Sequence, residues 1–160
     1  MATATKKQVL TQQQFGGVPY GNKTGLIYRF DTNASGVWTG SDQATAIASG
    51  DKARLGVLPS GLLLVDCLAI VSDLFTASVT AALGFEYVDG VDSTSVPQDA
   101  DYFFAALALS AIGRTRANNL AVAPVRLPKD AYLIMTTGGA AIAAAGVADF
   151  VIEGILTGAT

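Results

Sequence analysis

Between Val147 and Leu156 the side chains alternate with a period of two. Ala148, Phe150, Ile152, Gly154 and Leu156 fall on one row, and Val147, Asp149, Val151, Glu153 and Ile155 on the other. An extended chain places successive side chains on opposite faces, so this run reads as a strand with one row against a core. The rhythm recurs. From Gly25 to Asp31, Leu26, Tyr28 and Phe30 oppose Ile27, Arg29 and Asp31. From Val79 to Val88, Val79, Ala81, Leu83, Phe85 and Tyr87 oppose Thr80, Ala82, Gly84, Glu86 and Val88. The longest apolar run, Leu62 to Phe75, is apolar on both rows (Leu64, Asp66, Leu68, Ile70 against Val65, Cys67, Ala69, Val71), as expected of a central strand with neighbours on each side.

Glycine, proline and aspartate punctuate these runs. Thr76–Ser78 is expected to join Leu62–Phe75 and Val79–Val88 as a hairpin. The glycine- and alanine-rich stretch from Gly138 to Gly146 is expected to join Ala131–Thr137 and Val147–Leu156 as another. Residues 102–112 stay open: Asp99 or Asp101 suits the N-cap of a short helical turn, and Leu107 to Ile112 suits a helix or a strand. About seven or eight short strands, with turn signals every ~8–14 residues, predict an all-β antiparallel sandwich over residues 24–160.

Composition bears on what surrounds that sandwich. Of 160 residues, 51% are hydrophobic and 14% charged, with mean hydropathy +0.42. That is too little charge to cover a lone globule, so part of the outside is expected to be buried against other subunits. A membrane span is not expected, because Asp66 and Asp73 break one long apolar run and Asp149 and Glu153 break the other. The single cysteine, Cys67, lies in an apolar run and reads as a small buried hydrophobe. Lys6 and Lys7 have no apolar stretch behind them, so no secretory signal is visible and synthesis in a reducing cytoplasm is expected.

The chain contains no histidine. Imidazole-based triads and histidine metal sites are therefore out of reach, and Cys67 alone cannot hold zinc. No enzymatic activity and no cofactor are expected. Gly16 to Thr24 approaches a phosphate-binding loop, but Asn22 stands where the lysine should follow Gly21. Glu86 and Glu153, the two glutamates, each lie on the polar row of a strand. Asp89, Asp92, Asp99 and Asp101 offer oxygens to a calcium ion without the spacing of a known loop, and turn chemistry is the plainer reading. Arg114, Arg116 and Arg126 are too sparse for nucleic acid.

Residues 1–23 read as an irregular arm, with Gln12 to Gln14, Gly16, Gly17, Pro19 and Gly21. Lys6, Lys7 and Lys23 are the only charges before Arg29; from 10 basic and 13 acidic residues this leaves 7 against 13, a body at −6 beside an arm at +3. The arm is expected to dock on a neighbouring subunit through Lys6 and Lys7, with Phe15, Val18 and Tyr20 as apolar anchors. It would be mobile in the free protein, and its removal would leave the sandwich stable.

The segment from Ala53 to Leu62, the long strand after it, the Ala-Leu-Gly at Ala82 to Gly84, and the closing Gly138 to Ala141 and Ala145 to Gly154 resemble small virion proteins of tailed bacteriophages. The chain is similar to head decoration (cement) proteins with a jelly-roll fold, over roughly residues 50–158 and by strand rhythm. That resemblance implies a virion protein, made in the bacterial cytoplasm. It would bind the major capsid protein on the outside of the shell as a small homo-oligomer, dimer or trimer, with no catalytic residues. The alternative is a receptor- or carbohydrate-binding jelly-roll module of a tail or spike, using exposed aromatics such as Trp38 and Tyr20.

Overall fold

A computed structural model of the chain describes residues 2–5 and 23–156, and every regular element among them is a β-strand. The strands are β1 (Thr3–Thr5), β2 (Lys23–Thr32), β3 (Lys52–Leu58), β4 (Leu62–Asp73), β5 (Thr80–Tyr87), β6 (Asp99–Ala108), β7 (Gly113–Arg116), β8 (Val125–Arg126), β9 (Ala131–Gly138) and β10 (Gly146–Leu156). One sheet runs β1-β3-β9-β5-β6 and the other β2-β10-β4-β7, with β8 also paired to β4. All pairs are antiparallel except β1 on β3. The order is jelly-roll-like: from β2 onward the chain passes between sheets at every connection except β5 to β6 and β7 to β8.

Neither expected hairpin forms. β4 and β5 are consecutive but lie in opposite sheets, as do β9 and β10. The pattern shows which rows are apolar, not which strand each run pairs with. β10 instead pairs along its whole length with β4 on one side and β2 on the other. Residues 99–108 are strand, and neither Asp99 nor Asp101 caps a helix. Between Leu83 and Phe85 of β5 the partner strand runs from Phe104 back to Asp99. That slack lets Tyr102, Phe103 and Phe104 all bury their rings, where strict alternation would turn one outward.

The inner rows of β2, β5 and β10 are those the alternation predicts: Leu26, Tyr28 and Phe30; Ala81, Leu83, Phe85 and Tyr87; Ala148, Phe150 and Ile152. β4 departs from it. Leu64 faces Gly154 and Asp66 faces Glu153, so Val65 is an extra residue opposite no partner. This bulge shifts the phase, and the buried row becomes Leu62, Leu64, Cys67, Ala69 and Val71. Trp38 closes one end of the core, 5.4 Å from Phe30, which stacks at 5.6 Å on Phe75. At the other end Phe85, Tyr102 and Phe103 form an edge-to-face chain at 5.5 and 4.8 Å.

One side chain ties the two sheets directly. Tyr28 of β2 is fully buried and crosses to a bulge in β3, where its hydroxyl donates to Val57 O at 2.7 Å. Its ring lies on Gly56: a Cβ there would stand 2.3 Å from Tyr28 Cε1. Gly56→Ala is therefore expected to cost about 1–3 kcal/mol by overpacking. Tyr28→Phe should cost about 1 kcal/mol through the lost hydrogen bond. The double variant should fall short of the sum, because freeing the hydroxyl lets the ring move. Denaturant midpoints at unchanged slope measure all three.

Candidate interaction surfaces

The outer face of the β2-β10-β4-β7 sheet is organised by register. Ile27, Val151, Leu68 and Arg116 lie opposite one another across the four strands. The first three make an apolar lane, and Ile27 is 61% exposed. Charged lanes flank it. On one side Arg29 reaches Asp149 with Nε–Oδ1 at 3.0 Å, in register with Ile70 and Arg114. On the other side Lys23 meets Glu153 at 2.5 Å, and Arg116 pairs with Asp66. Each exposed pair is worth roughly 0–1 kcal/mol to folding, so their larger effect is on what can lie against this face. An apolar centre with a polar rim is the anatomy of a protein interface.

The outer face of the other sheet is closed over by its own side chains. Glu86 of β5 is held by Lys52 Nζ at 2.6 Å and Arg54 Nε at 2.7 Å, both from β3, across the intervening strand β9. Arg54 lies 4.7 Å over the ring of Tyr132 on β9. Tyr132 and Ile134 are buried there with Val57 packed on them, a small second core outside the sandwich. Burial pushes the Glu86 carboxyl up, but hydrogen bonds and charge from Lys52 and Arg54 outweigh it and hold the group below the usual carboxylate range.

The open edge of β3 carries a slot for an extended strand. β1 lies there in parallel, with Ala4 buried. Two carboxylates close the slot at its ends: Asp51 Oδ1 accepts from Ala2 N, and Asp42 Oδ1 accepts from Thr5 N, each at 3.0 Å. Asp42 N returns a bond to Thr5 O at 2.9 Å, Lys52 N donates to Ala2 O at 3.2 Å, and the Gln43 amide donates to Thr3 O. Nothing in the sequence pattern marks Asp42, Gln43 and Asp51 as a group. They lie in loops, and the strand they receive is 37 to 49 residues away.

Lys6, Lys7, Phe15, Val18 and Tyr20, the expected arm contacts, lie outside the described residues. At the ends of the arm, however, residues 3–5 are a strand of the sandwich and Lys23 opens β2. Trp38, proposed above as an exposed sugar platform, is 1% exposed and belongs to the core; the loop carrying it folds inward to cap Phe30. Cys67 is fully buried, and burial with the nearby charges of Asp66 and Glu153 pushes its thiol up. Asp89 and Asp92, between β5 and β6, and Asp99, which opens β6, each already accept hydrogen bonds from the protein. Asp89 takes Lys129 Nζ at 2.9 and 2.7 Å, Asp92 accepts from Ser93 N and Gln98 N, and Asp99 accepts from Asp101 N. Among the described residues no three His, Cys, Asp or Glu side chains converge as metal ligands. A mainly apolar cleft of about 300 Å³ lies beside that loop, lined by Phe85, Val96, Pro97, Tyr102, Val122 and Val125.

The Glu86 clamp sets an acid limb to stability. Its folded pKa lies below the unfolded value of about 4.3, so in acid the unfolded chain binds more protons. The contribution is present in full above that unfolded value and is lost as pH falls through the folded one. Glu86→Gln should lower stability by about 1.5–3 kcal/mol at neutral pH. It should also flatten the fall of Tm below pH 5, which thermal melts at several pH values measure. An unchanged acid limb would remove the clamp as its source.

No family model and no curated protein sequence matches the chain. Among solved structures it is similar to a chain of the capsid of Ralstonia phage GP4, at TM-score 0.68 and 19% identity, over 99% of this chain and 100% of that one. It also matches a chain of the acid-stable capsid of Helicobacter pylori bacteriophage KHP30, at TM-score 0.48 and 14% identity, over 84% and 92%. At these identities the first likeness shows a shared fold, end to end.

Proposed function

We propose that this chain is a structural protein of a bacteriophage capsid: a small homo-oligomer that decorates the shell from outside, binds the major capsid protein and stabilises it. The observation that carries this reading is the lane of Ile27, Val151 and Leu68, an apolar strip on the outer sheet face with ion pairs on both sides. The low charge content supports it, as does a fold shared over its full length with a chain of a phage capsid. A decorating protein has no reaction to perform. It acts by linkage, because a partner that binds only the assembled shell raises the shell's stability. Repeated copies add through multivalency. The rival, a receptor- or carbohydrate-binding module, loses Trp38 as its platform, since that ring is in the core.

In this reading Lys6 and Lys7 add an electrostatic contact to an acidic neighbour, and Phe15, Val18 and Tyr20 an apolar one. Deleting the whole arm is a poor test, because residues 2–5 are part of the sandwich. Point changes separate the contributions. Ile27→Asp and Leu68→Asp should each weaken sedimentation with undecorated shells at least tenfold, about 1.4 kcal/mol. Ile27→Asp should leave Tm nearly unchanged, since the side chain is mostly in solvent. Lys6→Ser with Lys7→Ser should weaken binding at low salt and make little difference at high salt, where exposed charges are screened. Full binding by both sheet variants would overturn the assignment of this face. Glycan binding with no affinity for shells would favour the rival.

A further inference from the structure

The slot on β3 is built to recognise a strand, yet little in it requires the strand to come from the same chain. β1 has three residues, and Ala4 is its one buried apolar side chain. The remaining hold is backbone hydrogen bonding to β3 and to the loop of residues 41–51, with Asp42 and Asp51 receiving the amides at either end. Such bonds read an extended backbone and not the chain it belongs to, which is how strands are added to sheet edges in peptide recognition. The pairing is parallel, so no tight turn fixes β1 to its neighbour. Between Thr5 and Lys23 stand residues 6–22, 17 in number, with a contour of about 55–60 Å. A domain of this length has a radius of gyration of about 15 Å, so the tether can reach a slot on an adjoining copy.

We infer that the slot formed by the β3 edge, Asp42 and Asp51 is a strand-exchange site, and that its second occupant is residues Ala2–Thr5 of another copy of this chain. Exchange conserves every hydrogen bond and the burial of Ala4, since donor and acceptor are the same groups in both arrangements. The balance between closed and exchanged forms then depends on the concentration of other copies relative to the effective concentration the tether sets. A strand joined to its own sandwich by 17 residues presents itself to its own slot at roughly millimolar effective concentration. Copies in contact within an oligomer or on a shell present theirs at a comparable level, so exchange would link neighbours without any new side-chain contact. The inference draws on the capsid reading only for where copies meet. It concerns the free protein as well.

The test uses full-length chains and the register pair Thr3 and Lys52, which are directly opposite. A double variant, Thr3→Cys with Lys52→Cys, should close an intrachain disulfide under mild oxidation and so report the slot. Two single variants, one Thr3→Cys and the other Lys52→Cys, are then denatured, mixed, refolded together and oxidised. Exchange predicts a disulfide-linked heterodimer whose fraction rises about tenfold from ten micromolar to a hundred micromolar. The unaltered chain should give no link, since Cys67 is buried. Neither should Thr3→Cys mixed with Ser60→Cys, which lies beyond the strand at the other end of β3. An intrachain link in the double variant with no heterodimer at any concentration would overturn the inference. So would a double variant that fails to link at all, or equal linking by the Ser60→Cys control. No shells are present, so the outcome is independent of whether the chain decorates one.

Discussion

Face-to-face burial between the two sheets is the interaction on which the rest of this structure depends. Most consecutive strands lie in opposite sheets, so local pairing gives little early support. Leu26, Tyr28 and Phe30 of β2 can leave water only when the inner rows of the other layer arrive to share one core with them. Each fully buried side chain of this size contributes about 1.5–3 kcal/mol, against about 1–2 kcal/mol of backbone entropy per ordered residue. The sandwich therefore forms as a unit. Its aromatic ends, with Trp38, Phe30 and Phe75 at one and Phe85, Tyr102 and Phe103 at the other, close the core.

Bulges adapt ideal strands to that core. The extra residue at Val65 turns Cys67, Ala69 and Val71 inward and leaves Asp66 and Leu68 on the outer face. The bulge in β3 brings Gly56 and Val57 under Tyr28, giving the sheets one directional link within a largely non-directional contact. The phase shift at Val65 also puts Leu68 on the outer face opposite Val151 and completes the lane with Ile27. Core packing and outer-face chemistry are in this sense set by one irregularity. Without the bulge, Leu68 would belong to the buried row.

The two outer faces solve the shortage of charge differently. On the β3-β9-β5 face, three charged side chains with Tyr132 cover a buried Ile134, so the surface is finished within the chain. On the β2-β10-β4 face the charges pair along the rims and leave Ile27 and its neighbours open to a partner. The slot beside β3 is a third arrangement, an edge that would otherwise offer unpaired backbone and is covered by β1. Each reflects the same limit, that an apolar surface must be covered by the chain itself or by something else.

The sequence by itself determined the strands β2, β4, β5, β9 and β10 and, for β2, β5 and β10, which row faces inward. Those properties depend on a period of two that adjacent residues impose on one another. It also carried the burial of Cys67 and the absence of imidazole chemistry, since these follow from residue type and apolar setting. Partnership was decided by the tertiary structure. The expected hairpins became crossovers, residues 102–108 became strand, and Trp38 entered the core, because apolar rows are equally satisfied by several partners until the whole core is packed. The Ile27–Val151–Leu68 lane joins residues more than 40 positions apart in register, and Asp42 and Asp51 meet a strand from the chain's beginning. No local pattern encodes such coincidences. They exist only once two sheets, with their bulges, have set the register between distant segments.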